Sequence, residues 1–210
     1  MDHPHNNRQK EMLDEKTVAR DPIRQFEQWF DDAVKAGIAL PEAMTPATCT
    51  REGKPSARLV LLKKVDERGF VFFTNYQSVK ARDLEGNPFA ALVFYWPLLE
   101  RQVRIEGRVE RTSAAESNEY FQTRARESQI GAAASPQSQC IESREVLEQR
   151  FRELNEVYRE RPVERPDHWG GYRLEPARIE FWQGRPSRLH DRILYERQSN
   201  GNWSISRLAP

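Results

Sequence analysis

The apolar positions of this chain change their period as one reads along it, and each change predicts an element. Phe26, Trp29, Phe30, Ala33 and Val34 recur at helical spacing, with Asp21 as a cap and Pro22 suited to a first turn. This predicts a core-facing helix starting near residue 21 and ending near Gly37. From Thr45 the apolar residues come in short β-prone runs, at 45–50, 56–65, 70–75, 89–96 and 102–111, with turns at 51–55 and 66–69. Hairpin after hairpin is the signature of an antiparallel sheet or barrel. Between these runs a short helix fits 78–85, capped by Ser78 and stopped by Gly86-Asn87-Pro88. Ser113 caps a helix running through Tyr120 toward Arg124. Residues 126–139 are small, polar and unpatterned, which predicts a long functional loop. Residues 143–159 read as a long helix with Val146, Leu147, Phe151, Leu154 and Val157 as its stripe. After a linker at 161–166, strands return at 171–174, 178–182, 189–197 and 203–208, with Asn200-Gly201 as a hairpin turn. The fold class is mainly antiparallel β with helices. Residues 1–20 read as flexible and 21–210 as a single domain.

Composition narrows the partners. The 210 residues carry 33 Lys plus Arg against 32 Asp plus Glu, a net charge of +1, which argues against non-specific nucleic-acid binding. Aromatic residues reach 10 %, above what a disordered chain carries. No apolar run has the length of a membrane span, and the first residues lack a basic-then-apolar export signal. Cys49 and Cys140 show no metal-type spacing and read as free thiols of a cytoplasmic protein. No metal constellation, serine triad or phosphate-binding glycine loop is evident.

The candidate chemistry lies elsewhere. In the stretch from Phe181 to Arg192, a period of two places Arg188, His190 and Arg192 on one face of an extended strand. Such a face suits a small ligand carrying phosphate, with Trp182 as a flat apolar wall beside it. It also fits a solvated basic strand. Arg58, Lys63, Lys80, Gln102 and Arg124 are further basic or amide side chains set among the predicted elements. Arg58 and Lys63 are an odd number apart, so in a regular strand they face opposite sides unless the strand bulges.

These residues sit in a series of motifs: Arg58-Leu59-Val60-Leu61-Leu62-Lys63, Phe72-Phe73-Thr74-Asn75, Glu100-Arg101-Gln102-Val103, Ser128-Gln129-Ile130-Gly131, Gln137-Ser138, Trp169-Gly170-Gly171-Tyr172, Glu180-Phe181-Trp182-Gln183-Gly184 and Arg188-Leu189-His190-Asp191-Arg192. With all of them in order, from about Asp21 to Pro210, the chain resembles the pyridoxine/pyridoxamine 5′-phosphate oxidases. The resemblance implies a split β-barrel with surrounding helices and a homodimer binding FMN at the interface. By it, Arg58, Lys63, Phe73, Thr74, Lys80 and Gln102 approach FMN from one subunit, and Gln137, Ser138, Trp182 and Arg192 from the other. Lys63, Tyr120, Arg124 and Ser128 would hold the phosphate of pyridoxamine or pyridoxine 5′-phosphate, with O2 as the electron acceptor. Arg188 and His190 would lie over the pyridine ring as the catalytic pair. Val79, Leu40 and Ala125 depart from the family pattern, which usually has a basic residue, often an acidic one and commonly a proline at those places. Two alternatives stay in view: a flavin oxidase acting on another ring system, such as a phenazine precursor, and a protein that binds FMN or pyridoxal phosphate without turnover.

Overall fold

The structure, a computed structural model, describes residues 12–210. The segment expected to be flexible falls in two parts. Residues 1–11 lie outside the described residues. Residues 12–20 pack against the rest of the chain: Leu13 is buried in the main core, and the Tyr195 hydroxyl donates to the Ala19 carbonyl at 2.7 Å.

The first helix forms as its pattern requires. α1 (Pro22–Lys35) is capped by the Asp21 carboxylate, which accepts from the Ile23 amide, and buries Ile23, Phe26, Trp29 and Ala33. Phe26 meets Phe70 and Phe94 edge-on at 4.9 and 5.0 Å, and Trp29 meets Phe181 at 5.2 Å. The helix thereby plugs the inner face of the sheet. Burial of one such aromatic contributes roughly 1.5–3 kcal/mol.

Ten strands, counted among the described residues, join in one antiparallel sheet. They are β1 (Ala43–Cys49), β2 (Pro55–Ala57), β3 (Val60–Leu61), β4 (Lys64–Asp66), β5 (Gly69–Asn75), β6 (Phe89–Trp96), β7 (Arg101–Arg111), β8 (Trp169–Gln183), β9 (Asp191–Arg197) and β10 (Trp203–Arg207). The main path runs β10-β9-β8-β7-β6-β1-β2. β8 is its pivot. One edge pairs with β7 along nearly its whole length, while the other is divided, with residues 169–174 on β5 and residues 178–183 on β9. The cross-strand row Phe94, Val103, Phe181 and Ile193 is completely buried and forms the barrel interior. The next row, Tyr95, Gln102, Trp182 and Arg192, points to the opposite face and keeps solvent exposure.

Four expectations are corrected. The extended run at 56–65 is broken into β2, β3 and β4, so Arg58 and Lys63 fall between strands, where period-two parity does not bind them. The two strands expected at 171–174 and 178–182 are one, because a bulge at Ala177 carries the ladder past Pro176: Glu106 pairs with Arg178 and Gly107 with Pro176. A Cβ on Gly107 would lie 1.9 Å from the Glu175 carbonyl oxygen, so only glycine fits there. The loop expected at 126–139 is largely a helix, α4 (Arg126–Ala134), held by packing of the fully buried Ile130. The strand expected from Leu189 starts at Asp191. Ser187 and Arg188 take left-handed φ of 57° and 61° in a tight turn over Pro186–Arg188, so Arg188, His190 and Arg192 do not share a strand face.

The remaining helices are α2 (Val79–Gly86), α3 (Ala114–Thr123) and α5 (Arg144–Val157). Ser113 and Glu116 form a capping box on α3. A second core, built on Phe121, Ile130, Val163 and Trp169, fastens α3, α4 and α5 beside the barrel.

Candidate active site

A cavity of about 510 Å³ opens where β5, the start of α2, α3 and α4 converge. It gathers eight of the residues singled out by sequence: Lys63, Phe73, Thr74, Lys80, Tyr120, Arg124, Ser128 and Gln137. They come from several elements and the loops between them. Phe73 and Thr74 alternate along β5. Lys80 opens α2, Tyr120 lies in the last turns of α3, Arg124 follows that helix, and Ser128 sits in the first turn of α4. No Asp or Glu is among the lining residues.

The electrostatics of this wall are one-sided. Lys80 is only 7 % exposed, and its Nζ donates to Thr74 Oγ1 at 3.0 Å, Gln137 Oε1 at 3.1 Å and Ser78 Oγ at 3.3 Å. All three acceptors are neutral. Burial, and then the nearby Arg58 guanidinium, push its pKa down from 10.5 to about 8. Burial also lowers the pKa of Arg124. The Arg124 guanidinium stacks over Trp169 at 4.7 Å, and its buried Nη1 has no hydrogen-bond partner. A desolvated cation without a counter-charge is costly, and a ligand anion would remove that cost. Beside these donors Phe73 stacks on Tyr120 at 4.0 Å and on Trp169 at 5.3 Å, a rigid aromatic block.

Arg58 stands next to this cavity, outside its immediate lining. Its Nη1 donates to Thr48 Oγ1 at 2.7 Å and its Nη2 to Ser56 Oγ at 2.6 Å. Gln137 is brought to Thr74 and Lys80 by its own chain, whereas the resemblance grouped it with the other subunit's residues. Ser138 follows it in a left-handed conformation, φ 69°.

The other candidates form a second group. Gln102, Trp182 and Arg192 are cross-strand neighbours on the outer face of β7, β8 and β9. Trp182 and His190 rings lie 4.7 Å apart. His190 Nδ1 accepts from the Arg185 amide at 3.0 Å, so the proton of the neutral ring resides on Nε2. Arg192 is clamped to Glu180 by bonds of 2.8 and 3.1 Å. Arg188 is exposed in its turn. None of these residues lines the cavity described above.

Comparison with known proteins identifies the family. Residues 30–158 match the family described as pyridoxamine 5′-phosphate oxidase, and residues 169–210 match the pyridoxine 5′-phosphate oxidase C-terminal dimerisation region. The chain belongs to the pyridoxamine 5′-phosphate oxidase family. It is 59 % identical over 199 residues to a pyridoxine/pyridoxamine 5′-phosphate oxidase of Paraburkholderia phytofirmans, covering 94 % of this chain and 93 % of the relative. A protein of the same name from a Cyanothece species is 57 % identical over 201 residues, covering 96 % and 94 %. Among solved structures, PhzG from Burkholderia lata, in complex with tetrahydrophenazine-1-carboxylic acid, superposes with a TM-score of 0.90 at 31 % identity, covering 95 % of this chain and 98 % of that one. An FMN-binding protein from Nostoc punctiforme shares the fold at a TM-score of 0.73 and 18 % identity.

Membership gives the split-barrel fold and an oxidase class, with a flavin as the cofactor the family suggests. The dimerisation region implies a homodimer, and the half-buried Gln102, Trp182 and Arg192 row belongs to strands that this region largely supplies. The residues present fit a flavin phosphate: an uncompensated Lys80 ammonium, the Thr74 hydroxyl and the Gln137 amide lie together at one end of the cavity. Sequence reasoning quoted Trp169 and Asn75 within motifs but gave neither a site role, although both line the cavity. Thr48 and Asp83 carried no signal, because their part is visible only through Arg58.

Proposed function

We propose that this chain is an FMN-dependent oxidase that converts pyridoxamine or pyridoxine 5′-phosphate to pyridoxal 5′-phosphate, with O2 reduced to H2O2 and, for the amine, water consumed as ammonia is released. The observation that carries it is a cavity lined by cations with no carboxylate among the lining residues, Lys80 buried and Arg124 half-buried. Lys63, Arg124, Tyr120 and Ser128 offer charged and hydroxyl donors to a substrate phosphate at one place. Lys80, Thr74 and Gln137, with Arg58 behind them, offer a second set to the FMN phosphate. Two phosphate-bearing ligands would thereby be fixed beside each other, and fixed geometry is most of what hydride transfer asks of a protein. The flavin, when bound, supplies the hydride acceptor and its reoxidation by oxygen.

The outer row of the dimerisation region would complete the site from the other subunit. Trp182 provides a flat wall, Gln102 an amide and Arg192 a guanidinium already aligned by Glu180. His190 presents an Nε2 proton, and Arg188 a cation on a turn that brings it forward. Both orient the pyridine ring, and neither is required as an obligatory base. We place the enzyme in the cytoplasm, consistent with the two unpaired thiols Cys49 and Cys140.

The test is the visible absorption spectrum before and after anaerobic addition of pyridoxamine 5′-phosphate. A flavin band that bleaches supports both cofactor and half-reaction. No band after adding FMN would overturn the cofactor. The likeness to PhzG favours one other reading, oxidation of a larger, unphosphorylated ring. Bleaching by a reduced phenazine carboxylate and not by pyridoxamine 5′-phosphate would establish it and sink the first.

A further inference from the structure

Arg58 is held by groups on three separate elements. Thr48 on β1 accepts from its Nη1 at 2.7 Å, and Ser56 on β2 from its Nη2 at 2.6 Å. Thr48 is 2 % exposed and its hydroxyl donates to Asp83 Oδ2 on α2 at 2.6 Å. The Asp83 carboxylate, itself 7 % exposed, stands 3.8 Å from Arg58 Nη2. A hydroxyl has one proton. Because Thr48 spends it on Asp83, its lone pairs are turned to the guanidinium. Arg58 Nε makes no hydrogen bond among the described residues.

We infer that Thr48, oriented by Asp83, and Ser56 are positioning residues that preset Arg58 for the FMN phosphate. This rests on the flavin reading given above. The physical need is specific. Arg58 lies in the coil between β2 and β3, where no ladder fixes it, and an arginine loses much rotamer freedom on ordering. Lys80 is near enough that, after burial, the Arg58 charge is the second cause lowering its pKa, so the two cations repel. Without an anchor, Arg58 would swing away from Lys80 into solvent while the site is empty. The hydroxyl pair holds the two cations together and leaves donors for an anion, so the ordering cost is met before the ligand arrives.

The experiment compares binding of FMN and of riboflavin, which lacks the phosphate, to the apoprotein by flavin fluorescence quenching. Thr48→Val is expected to weaken FMN about tenfold or more and to leave riboflavin unchanged, since one charged hydrogen bond is involved. Thr48→Ser keeps the hydroxyl and is expected to restore FMN binding. In an Arg58→Ala background Thr48→Val is expected to have no further effect. Ser56→Ala, at a half-exposed site on an edge strand, gives the same phosphate-selective loss and serves if the buried valine prevents folding. Equal loss of FMN and riboflavin, or an FMN affinity unchanged in the Thr48 and Ser56 variants, would overturn the inference. If the unaltered protein binds neither flavin, the parent reading fails instead.

Discussion

Two regions of this molecule are rich in cations, and they treat them oppositely. At the β8–β9 turn every clamped arginine has an acid. Arg192 holds Glu180, Arg185 holds Asp191 at 2.6 Å, and Arg207 holds Asp191 at 2.9 Å and Glu15 at 2.8 Å. Around the cavity, Lys80 has only neutral acceptors and Arg124 Nη1 has none. The first region is a frame whose charges are spent within the chain. The second is a site whose charges are kept for a ligand, and the folded protein carries that cost until an anion binds. The same residue type is paired within the chain in one place, where Glu180 aligns Arg192, and left open in the other. What separates Lys80 and Arg124 from the clamped arginines is the lack of a carboxylate partner, whereas Arg58 beside them keeps Asp83 at 3.8 Å.

The comparison breaks first at Arg124. Arg124→Ala is expected to lower kcat/KM for pyridoxamine 5′-phosphate about 100-fold or more, because a desolvated charged donor is lost. The same change should hardly affect turnover of the unphosphorylated amine, and steady-state kinetics with both substrates check this. Equal losses would mean that Arg124 serves the fold and not the phosphate.

Lys80 gives the next largest effect, and it is readable in pH. Its folded pKa of about 8 lies below the ordinary 10.5. Between these values the unfolded chain binds a proton that the folded, ligand-free protein has released. Stability of the apoprotein therefore rises with pH across that window, and the cost of the buried charge is fully present below it. FMN affinity runs the other way and is expected to fall about tenfold between about pH 7 and about pH 9.5, as the ammonium is lost. Lys80→Met should raise the apoprotein Tm near pH 7 by about 3 °C or more, while weakening FMN. Lys80→Arg should flatten the pH dependence of binding. A pH-independent affinity in the unaltered protein would remove Lys80 from the phosphate site.

The smallest effect belongs to the framed region. Arg207→Ala removes half-exposed ion pairs and is expected to cost about 1 kcal/mol or less in urea unfolding. Flavin binding should stay unchanged. A large loss of FMN affinity would show that the frame carries binding energy after all, and the contrast between the two regions would fail.

Much of this was legible in the sequence for identifiable reasons. α1, β5, β6 and β7 combine a consistent period with capping or turn residues at their ends, so local preference and global fold agree. The cationic candidates could be named because their motifs occur in order. α4 was not legible, since Ala125 supplies no side-chain cap and Gly131 lies inside. Its stability comes from Ile130 in the second core and from Gln129 Nε2 donating to the Phe121 carbonyl at 2.8 Å. The strand assigned to residues 189–197 began two residues too early, because two left-handed residues leave no mark on a period-two pattern.

The sequence by itself determined the antiparallel class, the family and the inventory of phosphate-seeking side chains, because these depend on residue type and local order. Only the tertiary structure decided which cations are spent and which are held ready. Glu180 lies 12 residues from Arg192, Thr48 lies 35 from Asp83, and Gln137 lies 57 from Lys80. The sheet and the helices bring these partners to within 3.1 Å of one another. A charge is neutralised by what is near it in space, and proximity across such separations is set by packing.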